Sequence, residues 1–97
     1  MNEEVITLSH GSGGIIGREL VNNVFIKMFG NPQLSRLDDF ADIGKIEGNI
    51  VFTTDSYVVD PIFFPGGDIG KLSICGTIND ICMSGAVPMF ILSLIHI

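Results

Sequence analysis

Residues 66–86, which read GGDIGKLSICGTINDICMSGA, constrain the fold most. The segment predicts a helix from about Asp68 to Ser84, with Gly85 as its C-cap, because glycine readily takes the left-handed conformation that ends helices. On such a helix the polar side chains share one face, since they recur at intervals of four, three and four positions. This polar stripe consists of Ser73, Thr77, Asp80 and Ser84.

The polar stripe has two interpretations. A solvated helix face normally carries Lys, Glu and Arg, whereas this one has small hydroxyls around one carboxylate, as the floor of a binding site would. Alternatively, Asp80 caps a neighbouring backbone, or pairs with Lys71 or an arginine. Lys71 lies in the first helical turn, where the helix dipole disfavours a cation. A bound phosphate would reverse that preference, and a lysine that simply reaches solvent is the other explanation.

The rest of the chain alternates helix and strand patterns. Apolar residues every four positions predict a first helix from about Ile15 to Phe29. Its predicted apolar face consists of Ile16, Leu20, Val24 and Met28, widened by Val21 and Phe25. A turn is expected at 47–49, between two strands. The predicted strands cover residues 39–45, 50–59 and 87–97, and residues 5–9 form either a further short strand or an ordered arm. The resulting order, βαββαβ, indicates an α/β or α+β domain whose strands form a mixed sheet covered by helices.

Four aspartates are candidate metal ligands. Two precede the first strand of the predicted hairpin, one interrupts its β-branched second strand, and one lies in the polar stripe: Asp38, Asp39, Asp55 and Asp80. Aspartate is unfavourable within a strand, which favours a functional role for the third. Together they could converge on Mg²⁺, which binds one or two carboxylates plus substrate phosphates. Asp42 and Asp60 are weaker candidates, as the outward half of a strand and as a turn former.

The stretch HGSGG at residues 10–14 is a candidate anion-binding loop. Its glycines let the backbone approach a phosphate, and the helix that follows offers free N–H groups. It lacks the GK[ST] ending of a Walker motif, so a flexible turn without a ligand is the alternative. We interpret His10 as an ordinary polar residue. The candidate loop residues are Gly11, Ser12, Gly13 and Gly14.

Charge and hydropathy narrow the class of protein. With 11 acidic and 5 basic residues, and a net charge of −6, the chain lacks the basic surface that nucleic-acid binding needs. The longest apolar run, AVPMFILSLIHI, is shorter than the ~20 residues of a membrane helix. Cys75 and Cys82 are too far apart on one helix for a disulfide, which fits a cytoplasmic protein. So few charges leave apolar surface for a partner.

Several motifs together resemble a known family. The run HGSGG, then LDD, then FTTDSYVVDPIFFPGGDIGKLSICGTINDICMSGAVP is similar to the N-terminal domain of the HypE hydrogenase maturation factors. These belong to the PurM-like, or aminoimidazole ribonucleotide synthetase (AIR synthase), ATP-binding superfamily. The resemblance extends from about Thr7 to Leu94. It implies a PurM-like α+β domain over residues 1–97 that pairs through its sheet into a barrel-like homodimer.

The resemblance also implies a site for ATP and Mg²⁺. The family's metal-binding carboxylates fall on Asp39 (or Asp38), Asp55 and Asp80, and its phosphate-handling lysine falls on Lys71. Its mobile glycine-rich arm falls on residues 11–14, while Thr77 and Asn79 border the nucleotide. Members of the family use ATP to dehydrate a carbamoyl group on their own C-terminal cysteine into thiocyanate, which supplies cyanide to the iron of [NiFe] hydrogenase. The implied partners are a HypF-type carbamoyltransferase and the iron-cyanide scaffold proteins.

The sequence departs from the family pattern in length. The family has a second domain and a reactive cysteine at its extreme end, and neither matches this chain. We therefore expect a truncated domain that does not complete the reaction alone, so whether it is an enzyme stays open. A non-catalytic dimerisation or scaffold module is one alternative. Another is a fragment of selenophosphate synthetase or thiamine-monophosphate kinase, although no cysteine precedes the glycine loop, as the former would require.

Overall fold

The computed structural model describes residues 5–94 and 96. The acidic start of the chain at Met1–Glu4 lies outside the described residues, as do two positions of the last predicted strand, Ile95 and Ile97. The chain divides into two compact units. The first consists of the part up to Lys45 together with the residues from Ser93 onward, and the second spans Ile46–Leu92. The prediction of one domain over residues 1–97 stays a prediction.

The first unit is helical. A 3-10 turn, Leu8–Gly11, is followed by α1 (Ile15–Leu20), a π-helical segment (Val21–Ile26), α2 (Lys27–Phe29) and α3 (Pro32–Ser35). The first three helical segments after the turn run on without a break over residues 15–29, so the extent predicted for the first helix is confirmed.

The predicted apolar face of this helix is confirmed in part, at Leu20, Val21 and Phe25. Ile16, Val24 and Met28 are exposed, and the half-buried residues include Leu20, Val21, Phe25 and Ile26. Within the π-helical segment, each turn takes about one residue more than an α-helical turn, which moves the inward face from Val24 toward Ile26.

The second unit contains one long helix and a short hairpin whose two strands have two residues each. β1 (Phe63–Phe64) pairs antiparallel with β2 (Gly67–Asp68), and Phe63 lies opposite Asp68. Helix α4 (Ile69–Cys82) follows at once. The Asp68 carboxylate accepts a hydrogen bond of 2.8 Å from the Lys71 backbone N–H and so caps the helix. Met83 is the C-cap, and Gly85 follows with a φ of +80°, so the predicted helix is confirmed to within two residues at each end.

The strands predicted over 39–45, 50–59 and 87–97 are absent from the described residues of these segments, and residues 5–9 form no strand either. Among the described residues, the hairpin of β1 and β2 is the only sheet, and residues 8 and 9 belong to the 3-10 turn. The sequence pattern favours extended chain in these segments, but a strand also needs a neighbour to satisfy its N–H and C=O groups. Helices together with a small sheet agree with the α+β class, and the strand order βαββαβ was wrong for this structure.

Much apolar surface remains open to solvent. No residue in the described part of the chain is fully buried, and Phe40, Phe52, Phe63 and Leu92 are each at least 66% exposed. Large apolar side chains left in water in this number favour a partner that covers them. None of the described helices is long and apolar enough to cross a membrane.

Candidate functional site

Helix α4 carries three residues of the predicted polar stripe, Ser73, Thr77 and Asp80, and Ser84 lies just beyond its C-cap. Ser73 Oγ donates to the Gly70 carbonyl at 2.8 Å, and Ser84 Oγ donates to the Ile81 carbonyl at 2.6 Å. These two hydroxyls therefore bond to their own helix. Ser73 and Thr77 are half-buried, whereas Asp80 and Ser84 are exposed. Only the middle of the stripe remains available to a ligand.

Asp80 is the unpartnered acid of this helix. Within residues 5–94 and 96, its carboxylate takes part in no hydrogen bond and no ion pair, while the one ion pair of this part joins Arg36 to Asp38. Within its own unit, Asp80 therefore neither caps a backbone nor pairs with Lys71, while the alternative of a pair with an arginine stays untested because Arg18 and Arg36 belong to the other unit. Asn79 is exposed beside it, so both side chains are accessible to a ligand.

Lys71 lies at the other end of α4, beside an open groove of about 220 Å³. The groove is lined by the β1–β2 hairpin and the first two turns of the helix, including Phe64, Gly67 and Cys75. Lys71 Nζ lies 3.4 Å from the Gly66 carbonyl oxygen, a long contact for a hydrogen bond. The ammonium is thus not held by a carboxylate in the described structure and is free to meet an anion.

Asp55 lies in the same unit and is exposed. Its Oδ1 accepts from the Ser56 N–H at 3.1 Å, and its Oδ2 accepts from the Tyr57 hydroxyl at 3.4 Å. The Tyr57 ring in turn lies against α4 at Gly76, where a β-carbon would collide with the phenol oxygen and lie 2.8 Å from Cζ. A side chain therefore links Asp55 to the helix that carries Thr77 and Asp80.

The aspartates of the first unit differ from one another. Arg36 Nε pairs with Asp38 Oδ2 at 3.0 Å, whereas Asp39 has no such partner among the described residues. Asp42 was wrongly interpreted as part of a strand, because its Oδ1 accepts the Gly44 N–H at 2.9 Å in a turn where Gly44 has a φ of +76°. Such a turn is typical of aspartate, whose short side chain bonds its own backbone two residues on.

The glycine-rich arm at residues 11–14 is exposed, and it connects the 3-10 turn to α1. Gly11 ends the 3-10 turn, Ser12 Oγ donates to the Ser9 carbonyl at 2.7 Å, and Gly13 has a φ of +78°. Gly14 is the N-cap of α1, and a β-carbon at Gly13 or Gly14 would meet open space. His10 folds back, so that its Nδ1 accepts the Thr7 N–H at 2.9 Å. This local role agrees with the interpretation of His10 as an ordinary polar residue.

The structure does not test the convergence of all four candidate acids. Asp38 and Asp39 belong to the first unit, and Asp55 and Asp80 to the second. No group of three or more His, Cys, Asp or Glu side chains suited to a metal ion occurs among residues 5–94 and 96. The metal and nucleotide roles of the candidate residues therefore stay predictions.

Three residues of this region were not singled out from the sequence. Asp68 caps α4, Tyr57 contacts both Asp55 and α4, and Gly76 leaves room for that contact. The alternation of the segment 50–59 places Asp55 and Tyr57 on one face, and that signal could have found the tyrosine. A glycine in a helix interior is unfavourable, so it too indicates a close approach.

Comparison with protein families defines the class. Residues 37–97 match the model of the AIR synthase related protein, N-terminal domain, which is more than half of the chain. The chain therefore belongs to this family, and the resemblance found in its sequence motifs is confirmed.

The chain is also similar in sequence to individual curated proteins. The chain is 50% identical over 91 residues to the carbamoyl dehydratase HypE of Escherichia coli K12, covering 89% of this chain and 27% of that protein. It is 46% identical over 90 residues to a putative hydrogenase expression/formation protein of Methanocaldococcus jannaschii, covering 87% of this chain and 27% of that protein. The chain thus spans about a quarter of the length of the curated relatives it matches.

A solved structure shares the fold. The crystal structure of the hydrogenase maturation protein HypE in complex with ATP aligns with a TM-score of 0.76 at 47% identity. The alignment covers 81% of this chain and 23% of that one. The likeness to HypE in both sequence and structure supports a HypE-like N-terminal domain of the PurM-like fold.

Proposed function

We propose that this chain forms the ATP- and Mg²⁺-binding N-terminal domain of a HypE-like [NiFe] hydrogenase maturation factor. The observation that carries the proposal is the exposed Asp80 carboxylate, which lacks a protein partner within its own unit and lies on the helix that begins at Lys71. The HypE structure that this chain resembles contains ATP. A free carboxylate and a free ammonium on one helix suit a nucleotide held together with its metal ion.

The available side chains fit a magnesium ion by their chemistry. Asp55 and Asp80 present hard carboxylate oxygens that Mg²⁺ prefers, and the ion usually keeps waters and binds substrate phosphates as well. The ion pair of Asp38 with Arg36 favours Asp39 as the third carboxylate. Mg²⁺, when bound, neutralises phosphate charge. Lys71 would bind a phosphate, the glycine-rich arm at residues 11–14 would approach it through backbone N–H groups, and Thr77 and Asn79 would border the nucleotide.

The whole-protein reaction is part of the proposal. In it, the carbamoyl oxygen of an S-carbamoyl cysteine takes a phosphoryl group from ATP, and loss of phosphate together with the amide protons leaves thiocyanate. Cys75 lies within α4 and Cys82 is its last residue, so neither corresponds to a cysteine at the end of a chain. We infer that the reaction needs the second domain of the family, in the cytoplasm, with a HypF-type carbamoyltransferase and the iron-cyanide scaffold proteins as partners.

Titration calorimetry with Mg·ATP tests the binding step. We expect weak binding by the wild-type chain and at least a tenfold loss in Asp80→Asn, because the amide removes the charge that attracts the metal ion. Asp42→Asn is the matched control, since it makes the same change at an acid that caps a turn at Gly44. Equal affinities in wild type and Asp80→Asn would contradict the proposal.

A dimerisation role is the second candidate function. The exposed Phe40, Phe52 and Leu92 favour it, because such side chains are costly in water and are usually covered by a partner. In this proposal the homodimer forms through extended segments that find their hydrogen-bonding neighbours in a second copy. Light scattering tests it directly, and a monomer at all concentrations would contradict it.

A further inference from the structure

Residues 53–59, which precede the β1–β2 hairpin, turn one face toward the rest of their own unit. Thr53, Tyr57 and Val59 are half-buried, whereas Thr54, Ser56 and Val58 are exposed. This alternation is the period of an extended chain, in which every second side chain lies on the same side. Asp55 shares the odd-numbered face with Tyr57 but remains exposed. The carboxylate and the phenol ring are therefore neighbours on the side that meets α4.

Gly76 makes the contact between Tyr57 and α4 possible. A β-carbon at this position would collide with the phenol oxygen and lie 2.8 Å from Cζ and 2.9 Å from Cε1. Separations below 3 Å are repulsive between nonbonded carbon atoms, so any larger residue would displace the ring. Glycine is unfavourable in a helix interior, and the close approach of Tyr57 accounts for its presence at this point of the helix.

The position of Tyr57 determines where its hydroxyl lies. The hydroxyl donates to Asp55 Oδ2 at 3.4 Å, which is longer than usual for an O–H···O bond. The packing of the ring on Gly76, rather than this bond alone, therefore holds the phenol in place. The other oxygen of Asp55 accepts from the Ser56 N–H at 3.1 Å, so one carboxylate oxygen is bonded within its own segment and the other lies beside the packed phenol.

We propose that Tyr57 is a positioning residue for the metal site, and that it fixes the Asp55 carboxylate relative to the helix that carries Asp80. Gly76 precedes Thr77 and lies one helical turn before Asp80, so the ring bears on the same part of α4. The inference rests on the proposed binding of Mg·ATP and adds to it a residue that contacts neither metal nor nucleotide. Tyr57 acts through Asp55 alone.

The composition of the chain allows a direct test. It contains one tyrosine and no tryptophan, so tyrosine emission reports on Tyr57 alone. A carboxylate hydrogen-bonded to a phenol quenches this emission, and a metal ion that engages Asp55 will change the quenching. We expect Mg²⁺ added with ATP to shift the emission of the wild-type chain and to leave that of Asp55→Asn unchanged. If calorimetry shows Mg·ATP binding while the emission of the wild type stays constant, the inference is overturned.

A second measurement separates positioning from packing. Tyr57→Phe keeps the ring on Gly76 and removes only the hydroxyl, so we expect its circular dichroism and melting temperature to match the wild type. Its Mn²⁺ affinity in the presence of ATP, followed by electron paramagnetic resonance, should fall about three- to tenfold. The control is Val58→Ala, which truncates a side chain that is 97% exposed.

The outcomes distinguish the two proposals. A wild-type chain that binds no Mn²⁺ with ATP overturns the proposed function and, with it, this inference. A wild type that binds Mn²⁺ while Tyr57→Phe binds it equally well overturns the role of Tyr57 and leaves the proposed function standing.

Discussion

The helix over residues 15–29 and helix α4 both contain an interior glycine that another group approaches closely. At Gly17 that group is a backbone carbonyl, since a β-carbon would lie 2.8 Å from the His10 oxygen. At Gly76 it is the phenol ring of Tyr57. The first contact secures the entry of the chain into a helix. The second brings a polar side chain, and the acid it bonds, to a helix that carries a free carboxylate.

The two helices also differ in the residues that they turn inward. Residues 15–29 turn larger apolar side chains such as Leu20, Val21 and Phe25 inward, whereas α4 turns small residues inward together with three half-buried isoleucines. These residues of α4 are Ser73, Gly76, Thr77, Ile69, Ile78 and Ile81. Small residues bury little apolar area and so contribute little to stability. Helix α4 therefore combines apolar packing through its isoleucines with a close approach at its small residues.

The largest expected effect is that of Gly76→Ala. Overpacking costs about 1–3 kcal/mol, and alanine is favoured over glycine in a helix by ~1 kcal/mol. The difference gives a net destabilisation of up to about 2 kcal/mol. Urea unfolding followed by tyrosine emission measures it. The double variant Tyr57→Leu/Gly76→Ala, followed by circular dichroism, should recover most of the loss. A Gly76→Ala variant as stable as the wild type would show that the ring does not pack on this glycine.

Lys71→Met tests whether the start of α4 meets phosphate. Removing the ammonium should weaken Mg·ATP binding about tenfold, or about 1.4 kcal/mol, with little change in stability, because Lys71 makes only the long contact to Gly66. Lys27→Met, on the helical segment of the other unit, is the matched control for calorimetry. Equal losses in the two variants would indicate a general charge effect instead of a site.

The helix caps provide a smaller comparison. Asp68→Ala should cost about 1 kcal/mol, because it removes the acceptor for the Lys71 N–H at the start of a 14-residue helix. Asn31→Ala removes a similar cap, to the Leu34 N–H at 2.8 Å, from a helix of four residues and should cost less. Thermal melts followed by circular dichroism measure both. The reverse order of losses would mean that α4 does not depend on its cap.

The smallest effect is expected at Asp38. Its ion pair with Arg36 is exposed, and exposed pairs contribute little, so Asp38→Asn should change the free energy of unfolding by less than about 0.5 kcal/mol. If Asp39 is the metal ligand, Asp38→Asn should also leave Mg·ATP affinity unchanged, while Asp39→Asn lowers it. Calorimetry that finds the opposite order would transfer the ligand role to Asp38.

Much of the local structure could be predicted because it depends on neighbours in sequence. The extent of the helix over 15–29 follows from its periodicity, and α4 begins and ends close to the expected residues because Asp68 caps it and Gly85 takes a left-handed conformation. The same applies to the candidate residues of α4, since helical spacing alone places Ser73, Thr77 and Asp80 on one side. These effects are short-range, because each depends only on residues within a few positions of one another in the sequence.

The tertiary structure decided what the local pattern leaves open. Whether an extended segment becomes a strand depends on a distant hydrogen-bonding neighbour, and the described residues provide one only at Phe63–Phe64 and Gly67–Asp68. Within the π-helical segment Val21–Ile26, the inward face moved from Val24 toward Ile26. The contact of Tyr57 with Gly76 joins residues 19 positions apart, and no periodicity encodes such a pair. The sequence by itself determined the helices, the family motifs and the acids available to bind a metal ion. Only the folded chain shows that Asp80 lacks a protein partner within its own unit and that Asp55 reaches α4 through a tyrosine, because both depend on which residues meet in space.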